Sequence, residues 1–227
     1  MPRVCVFDVQ ETLLDMRGLD SAFEVSFGTP DAVRRAWFAQ VLQSAFVGTI
    51  TGHYDNLLRI ADAALEVVSA REDVTLSSDE RQAILSQWRR LPAHTDAQGA
   101  LQRLRDAGIR LAALSNAPLD LLDDQLKHAG LRGFFEIILS ADEVKRLKPA
   151  PEPYHLAAER LGVKIDALRL VSAHAWDIAG AQRVGAAAAY VVRVGLLFDP
   201  LVRLPDAVGE GLAQTVERIL EAEGVKR

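Results

Sequence analysis

Asp8 closes a short apolar run, Val4-Cys5-Val6-Phe7, and is followed at once by the polar string Gln10-Glu11-Thr12. A carboxylate delivered to the end of a buried strand either caps a turn or does chemistry, as nucleophile, acid or base. The residue alone does not choose. Three further polar clusters lie downstream: Ser115-Asn116, Arg146-Leu147-Lys148-Pro149, and Ser172-Ala173-His174-Ala175-Trp176-Asp177. A carboxylate needs no general base to be a nucleophile at neutral pH, but it needs cations and donors that keep it ionised and aimed. Lysines, hydroxyls and a second aspartate are the residue types for that work. His174 between Ser172 and Asp177 is placed to position or activate water, since imidazole titrates near neutrality; a lone histidine is equally a structural residue. His53, His94, His128 and His155 show no metal-ligand spacing and read as structural or exposed.

These clusters need elements to bring them together. Val4 to Phe7 reads as a buried strand ending at Asp8. From about Leu19 to Leu91 the patterns are helical: Pro30 to Phe46, Tyr54 to Ser69, and a helix opened by Ser77-Ser78-Asp79-Glu80. After Pro92 the character changes to alternation. Thr95 to Ala107 is helical, Ile109 to Leu114 a strand, Leu119 to Ala129 a helix and Phe134 to Leu139 a strand. Pro153 to Leu161, Leu168 to Val171, Ile178 to Val184 and Ala188 to Arg193 continue it as helix, strand, helix and strand. The reading is α/β: a doubly wound parallel-sheet (Rossmann-like) core, residues 1–15 plus 92–227, with an inserted all-helical cap, residues 16–91. In such a sheet the polar clusters converge at the carboxyl ends of the strands, where open α/β sheets bind ligands.

Composition bounds the function. At 227 residues, with 49% hydrophobic and 25% charged residues, the chain is an ordinary globular one. A formal net charge of −5 gives no footprint for nucleic acid or an anionic membrane surface. No apolar stretch approaches the ~20 residues of a membrane span, and the start has too short an apolar run for a signal peptide. The single cysteine, Cys5, lies in the buried strand and reads as packing in a reducing compartment. A cytoplasmic protein acting on a small molecule is the expectation.

The residues resemble the haloacid dehalogenase-like hydrolase superfamily over nearly the whole chain, on Phe7-Asp8 with Thr12, Ser115-Asn116, Lys148-Pro149 and Asp177. Within it, Leu114-Ser115-Asn116, the string Val171 to Ala181 and the all-helical insertion are most similar to the L-2-haloacid dehalogenase (type II) branch. The resemblance implies that Asp8 attacks the carbon bearing a halogen and that water hydrolyses the resulting ester. It implies that Lys148 holds Asp8, that Asp177 orients Lys148 and the water, and that Ser172 and His174 surround that water. Thr12 and Ser115 match donors to the nucleophile or the substrate carboxylate, and Asn116 a polar contact near substrate, with a simple turn-former as its rival. Tyr154 falls at a site tyrosine, and Trp37, Phe38 and Trp176 fall where the resemblance places substrate contacts. It implies no cofactor and no metal.

Two positions depart from the pattern. Magnesium-dependent phosphatases of the superfamily carry an aspartate two residues after the nucleophile, as acid for the leaving alcohol; Gln10 stands there and cannot donate as an acid. The dehalogenase branch carries a halide-receiving arginine on the first long cap helix, and Phe38 stands there. Arg34 and Arg35, one turn earlier, read as solvated, which leaves Gln10, Gln40 or Trp37 as uncharged donors. A magnesium-dependent phosphatase and a non-catalytic binding module are the alternatives to dehalogenation. Apolar cap positions leave room for a homodimer.

Overall fold

The computed structural model describes residues 3–225. Among them six parallel strands form one sheet in the order β3-β2-β1-β4-β5-β6. The strands are β1 (Val4–Phe7), β2 (Leu111–Ser115), β3 (Ile137–Ser140), β4 (Leu168–Ser172), β5 (Ala187–Val192) and β6 (Ala207–Glu210). The chain winds outward from β1 through β2 to β3, then crosses back to β4. The strand order therefore reverses between β1 and β4, and the crevice for a ligand lies beyond the carboxyl ends of those two. Asp8 follows one and Ser172 ends the other.

Alternation along β1 divides its side chains between two faces. Cys5 and Phe7 belong to a hydrophobic cluster that runs on into the helices between β1 and β2. Val4 and Val6 pack on the opposite face with Leu114, Leu170, Tyr154 and Ile178. The inserted helices are α1 (Asp20–Phe27), α2 (Pro30–Thr51), α3 (Leu57–Arg71) and α4 (Ser78–Trp88). Trp37 is wholly buried among them, edge-on to Trp88 at 5.3 Å, with its indole N–H donating to Ala61 O at 2.9 Å. The start of α4 is a reciprocal cap: Ser77 Oγ accepts from Glu80 N at 3.3 Å, and Glu80 Oε2 accepts from Ser77 N at 2.8 Å. The chain leaves and re-enters the sheet layer side by side, since Asp15 N donates to Pro92 O and His94 N to Leu13 O, both at 2.8 Å. No helix of the described residues is long and apolar enough to cross a membrane.

The remaining helices are α5 (Ala97–Asp106), α6 (Leu119–His128), α7 (Pro151–Leu161), α8 (Ala175–Arg183) and α9 (Gly211–Ala222). The alternation read from the sequence ends at Arg193, and β6 with α9 lies beyond it. β6 is only four residues and contains Gly209, a composition that gives no period. The glycine is required because α9 folds straight back onto the strand: a Cβ there would lie 2.3 Å from Thr215 N.

Candidate active site

β1 delivers Asp8 to the crevice and the sheet pairing carries one residue further, with Asp8 N donating to Val171 O at 3.0 Å. The chain then turns sharply, Leu13 N and Leu14 N both closing on Val9 O. That turn brings Thr12 back over the carboxylate, where its hydroxyl donates to Asp8 Oδ2 at 2.6 Å while accepting from Ala173 N at 2.9 Å. The other oxygen, Oδ1, accepts from Lys148 Nζ at 2.8 Å. Asp8 is 3% exposed and Lys148 is completely buried.

The Lys148 ammonium uses its three protons on Asp8 Oδ1, Asp177 Oδ2 at 2.7 Å and Leu114 O at 3.1 Å. Burial opposes its charge, but Asp177 and Asp8 outweigh it and hold the amine above its ordinary range. For Asp8, burial would raise the carboxyl. Lys148, with His174 and Thr12, wins and holds it below the usual carboxylate value. Asp177 goes the other way: burial and the neighbouring Asp8 charge lift it despite Lys148 and Tyr154. One cation between two buried carboxylates keeps the first ionised at the second's expense.

Tyr154, on α7, donates to Asp177 Oδ1 at 2.6 Å. Its phenol is pushed well above the ordinary range by burial and by the Asp177 charge, so it remains a donor. The fit depends on Gly180 of α8, where a Cβ would lie 2.5 Å from the Tyr154 hydroxyl. Tyr154 thus acts on Asp177 and gives its hydrogen to no substrate. Ser172 Oγ accepts from His174 N at 3.1 Å, which fixes the loop that opens α8.

Several residues expected to touch a substrate are bonded to protein. Asn116 brackets the lysine loop, accepting from Lys148 N at 2.7 Å and donating to Lys148 O at 3.2 Å. Ser115 Oγ donates to Gln10 Oε1 at 2.8 Å, and Gln10 Nε2 donates to Gln125 Oε1 at 3.0 Å. Gln125 in turn donates to Trp88 O at 2.9 Å. Gln10 therefore ties the crevice to the inserted helices through both ends of its amide. Trp37 sits in the core of the insertion with its N–H engaged, and Gln40 donates to Ser44 Oγ and accepts from Arg71. Arg34 is buried, not solvated: Asp20 at 2.6 Å and Asp31 at 2.8 Å satisfy it. Arg35 is largely exposed, as read, and pairs with Asp31. Cys5 is buried and its thiol is pushed up to about 12 by burial, which leaves no thiolate for chemistry.

Aromatic rings line the other side. His174 stacks on Trp176 at 5.1 Å between centroids, Phe38 lies 6.3 Å from His174, and Phe46 meets Trp176 edge-on at 5.3 Å. Lys148 Nζ is 5.8 Å from the Trp176 ring. The buried indole N–H of Trp176 has no hydrogen-bond partner among the described residues. Glu11 is the residue that the sequence reading passed over. It holds a left-handed backbone, φ 59°, with a mostly buried carboxylate 3.6 Å from His174 Nε2. Burial raises that carboxyl above its usual value. A lone glutamate in a polar string carries no period or spacing that marks it; only the turn reveals it.

A parallel sheet that brings a buried aspartate, its lysine and a second aspartate to the switch point defines a class of hydrolases acting through a carboxylate. The chain belongs to the haloacid dehalogenase-like hydrolase family, whose model matches residues 2–185. It is 31% identical over 213 residues to an (S)-2-haloacid dehalogenase of Pseudomonas sp. (strain CBS-3), covering 92% of each chain. It is 28% identical over 201 residues to a haloacetate dehalogenase of Moraxella sp. (strain B), covering 88% of this chain and 90% of the other. A solved L-2-haloacid dehalogenase superposes with a TM-score of 0.91 at 27% identity, over 96% of this chain and 98% of that one.

Proposed function

We propose that this chain hydrolyses the carbon–halogen bond of a short 2-haloacid through an ester formed on Asp8. The observation that carries the reading is the Lys148 ammonium seated between Asp8 and Asp177, which holds the Asp8 carboxyl ionised in a sealed pocket. An Asp8 oxygen attacks C2; the new C–O bond forms as the C–halogen pair leaves with the halide. Water then adds to the ester carbonyl carbon, and collapse releases the 2-hydroxyacid and regenerates Asp8. The net reaction consumes one water and yields halide and a proton. Thr12 orients Asp8, Tyr154 orients Asp177, and Asn116 fixes the backbone that carries Lys148. Halide leaves as a stable anion and needs no acid, which suits Gln10, whose amide is locked between Ser115 and Gln125. Trp176 supplies an N–H to the departing halide in a wall otherwise built of Phe38, Phe46 and His174.

The donor set does not fit a divalent cation, and no step runs through one. Asp177 gives one oxygen to Lys148 and the other to Tyr154, and no group of three His, Cys, Asp or Glu among the described residues is arranged to hold a metal. Residues 16–91 act as the cap of this site. The same reading includes a reducing, cytoplasmic setting, which a single buried cysteine suits, and a homodimer through Val47, Ile50 and Val67, exposed on α2 and α3. Light scattering tests the dimer.

Incubation with 2-chloropropionate and haloacetates, with and without EDTA, tests the function. The expected result is halide release that EDTA leaves unchanged and Asp8→Ala abolishes. Phosphate release from a phosphomonoester panel, lost with EDTA and without halide from any haloacid, would establish the phosphatase instead.

A further inference from the structure

We propose that Arg193 is a positioning residue for the nucleophile, acting through the backbone of Thr12; this rests on the dehalogenation reading above. Arg193 directly follows β5, at the carboxyl edge of the sheet. Its Nη2 donates to Thr12 O at 2.8 Å and its Nε to the same oxygen at 3.3 Å. The guanidinium also grips Asp96, Nη1 donating to Oδ2 and Nη2 to Oδ1, both at 2.9 Å. Four of its five N–H groups are thereby committed, in the planar fork that only an arginine presents.

Thr12 is the residue whose hydroxyl holds Asp8 Oδ2 at 2.6 Å. That hydroxyl is aimed by its own backbone, which lies in a sharp turn outside any helix or strand. The turn closes on itself only through Leu13 N and Leu14 N, both on Val9 O. Its outward carbonyls are taken up from a second direction. Glu11 O meets His94 Nε2 at 3.1 Å, Leu13 O accepts from His94 N at 2.8 Å, and Arg193 takes Thr12 O between them. Thr12 is completely buried, so a carbonyl that lost the guanidinium would shift toward another donor rather than stay unpaired.

Asp96 makes the guanidinium a fixed point. Its Oδ2 also accepts from Leu212 N at 2.7 Å, in the first turn of α9. Gly211 lies so close that a Cβ there would stand 2.7 Å from the same oxygen. The end of β5, the start of α5 and the start of α9 thus meet in one block, and Thr12 is seated on it. The Asp96–Leu212 bond and the β5–β6 pairing already join those elements to the sheet. The two bonds to Thr12 O join nothing more; what they fix is the turn beside Asp8.

The nucleophile is therefore held from two sides, Oδ1 by Lys148 directly and Oδ2 by Arg193 at one remove. With both oxygens held, the carboxylate plane is set. Without the aim of Thr12 it turns about the Cβ–Cγ bond, and the step that needs an oxygen in line with the carbon–halogen bond slows. Arg193 and Asp96 also line the cleft of about 570 Å³ that reaches Glu11. A small solute can thus enter the space that a shortened Arg193 side chain would leave.

Rapid-quench measurement of the halide burst at saturating 2-chloropropionate, on the wild-type chain, Arg193→Ala and Arg193→Gln, tests this. Arg193→Ala should slow the burst by roughly 10²-fold, the cost of a small misplacement at the reacting atoms, with KM and circular dichroism unchanged. Guanidinium chloride below its denaturing range should speed that variant again by about tenfold, by refilling the fork between Asp96 and Thr12 O. Sodium chloride at the same ionic strength should not, and neither salt should speed the wild-type chain. Arginine acting only as a structural tie gives no such rescue. Arg193→Gln fills the space and keeps one N–H for Thr12 O, so it should lose roughly tenfold and take no rescue. Where the alanine variant does not fold, the glutamine variant decides. A wild-type burst in either folded variant, a loss that appears only in KM, or a folded alanine variant that guanidinium leaves slow overturns the assignment. No halide from the wild-type chain overturns the dehalogenation reading beneath it, a result distinct from each of these.

Discussion

Two cations are buried in this sheet, one at each edge, and their surroundings differ. Arg169 lies at the amino end of β4, completely buried, pairing with Asp206 and with Glu223 at 2.8 Å and donating to Ala188 O. Arg3 joins Glu223 at 3.1 Å, so two cations meet two carboxylates. Side-chain hydrogen bonding from Arg169 holds Asp206 below its ordinary value, and Arg3 and Arg169 outweigh burial to do the same for Glu223. Lys148, at the carboxyl edge, is shared by two buried carboxylates, and they are driven apart, Asp8 down and Asp177 up. A balanced cluster fastens strands to the terminal helix. An unbalanced one stores a carboxylate that remains ionised in a buried pocket. Buried charge by itself therefore marks neither; the residual imbalance separates scaffold from site.

Perturbations at the two edges should separate function from stability. Asp8→Asn keeps the shape of the nucleophile and its bond to Thr12, and turnover should fall by about 10⁴-fold or more while circular dichroism is unchanged. Arg169→Met removes the cation from Asp206 and one of two from buried Glu223, which keeps Arg3, and chemical denaturation should show a loss of about 1–3 kcal/mol with the kcat of the folded fraction unchanged. A changed kcat there would break the comparison. Trp176→Phe keeps the ring and removes the indole N–H; the halide burst should slow by about tenfold to a hundredfold, as for a hydrogen bond to a charged group.

The pH responses should split as well. Asp206 and Glu223 have folded pKa values below their unfolded ones, so their stabilisation is complete above the unfolded values and is lost as pH falls through the folded ones. Arg169→Met should flatten that acid limb of the unfolding free energy. At the site, Asp8 is held down, while burial raises Glu11 against the pull of His174, Arg34 and Arg35 and with the push of Asp8. The halide burst should accordingly persist below the ordinary carboxylate range, in stopped-flow measurements. A burst lost within the ordinary carboxylate range would contradict the hold of Lys148 on Asp8. The smallest effect is structural: Glu11→Gly should raise stability by about 0.4–1 kcal/mol, by relieving the left-handed turn.

The frame of this site is readable from sequence because each functional group sits where an apolar run stops. Asp8, Ser115 and Ser172 all mark strand ends, Lys148 stands in the loop before α7 and Asp177 in the first turn of α8. The direction in which a polar side chain bonds is not readable that way. Gln10, Ser115 and Asn116 look alike as crevice residues, yet the first two are tied through Gln125 to the insertion and the third clasps the lysine loop. Arg34 follows the same rule, since nothing local announces that Asp20 will bury it. Glu11 needs a backbone angle to be seen, and β6 needs α9 folded onto Gly209. Local pattern carries the elements; long-range pairing assigns their side chains.

The central claim is that Asp8 is the atom donor to a covalent intermediate. The most direct test is mass mapping of the chain acid-quenched within the first turnovers of 2-chloropropionate. One adduct is expected, with the mass of the hydroxyacid less water, on the peptide that contains Asp8, and none in Asp8→Asn. Halide release with no adduct, or an adduct on another residue, would contradict it.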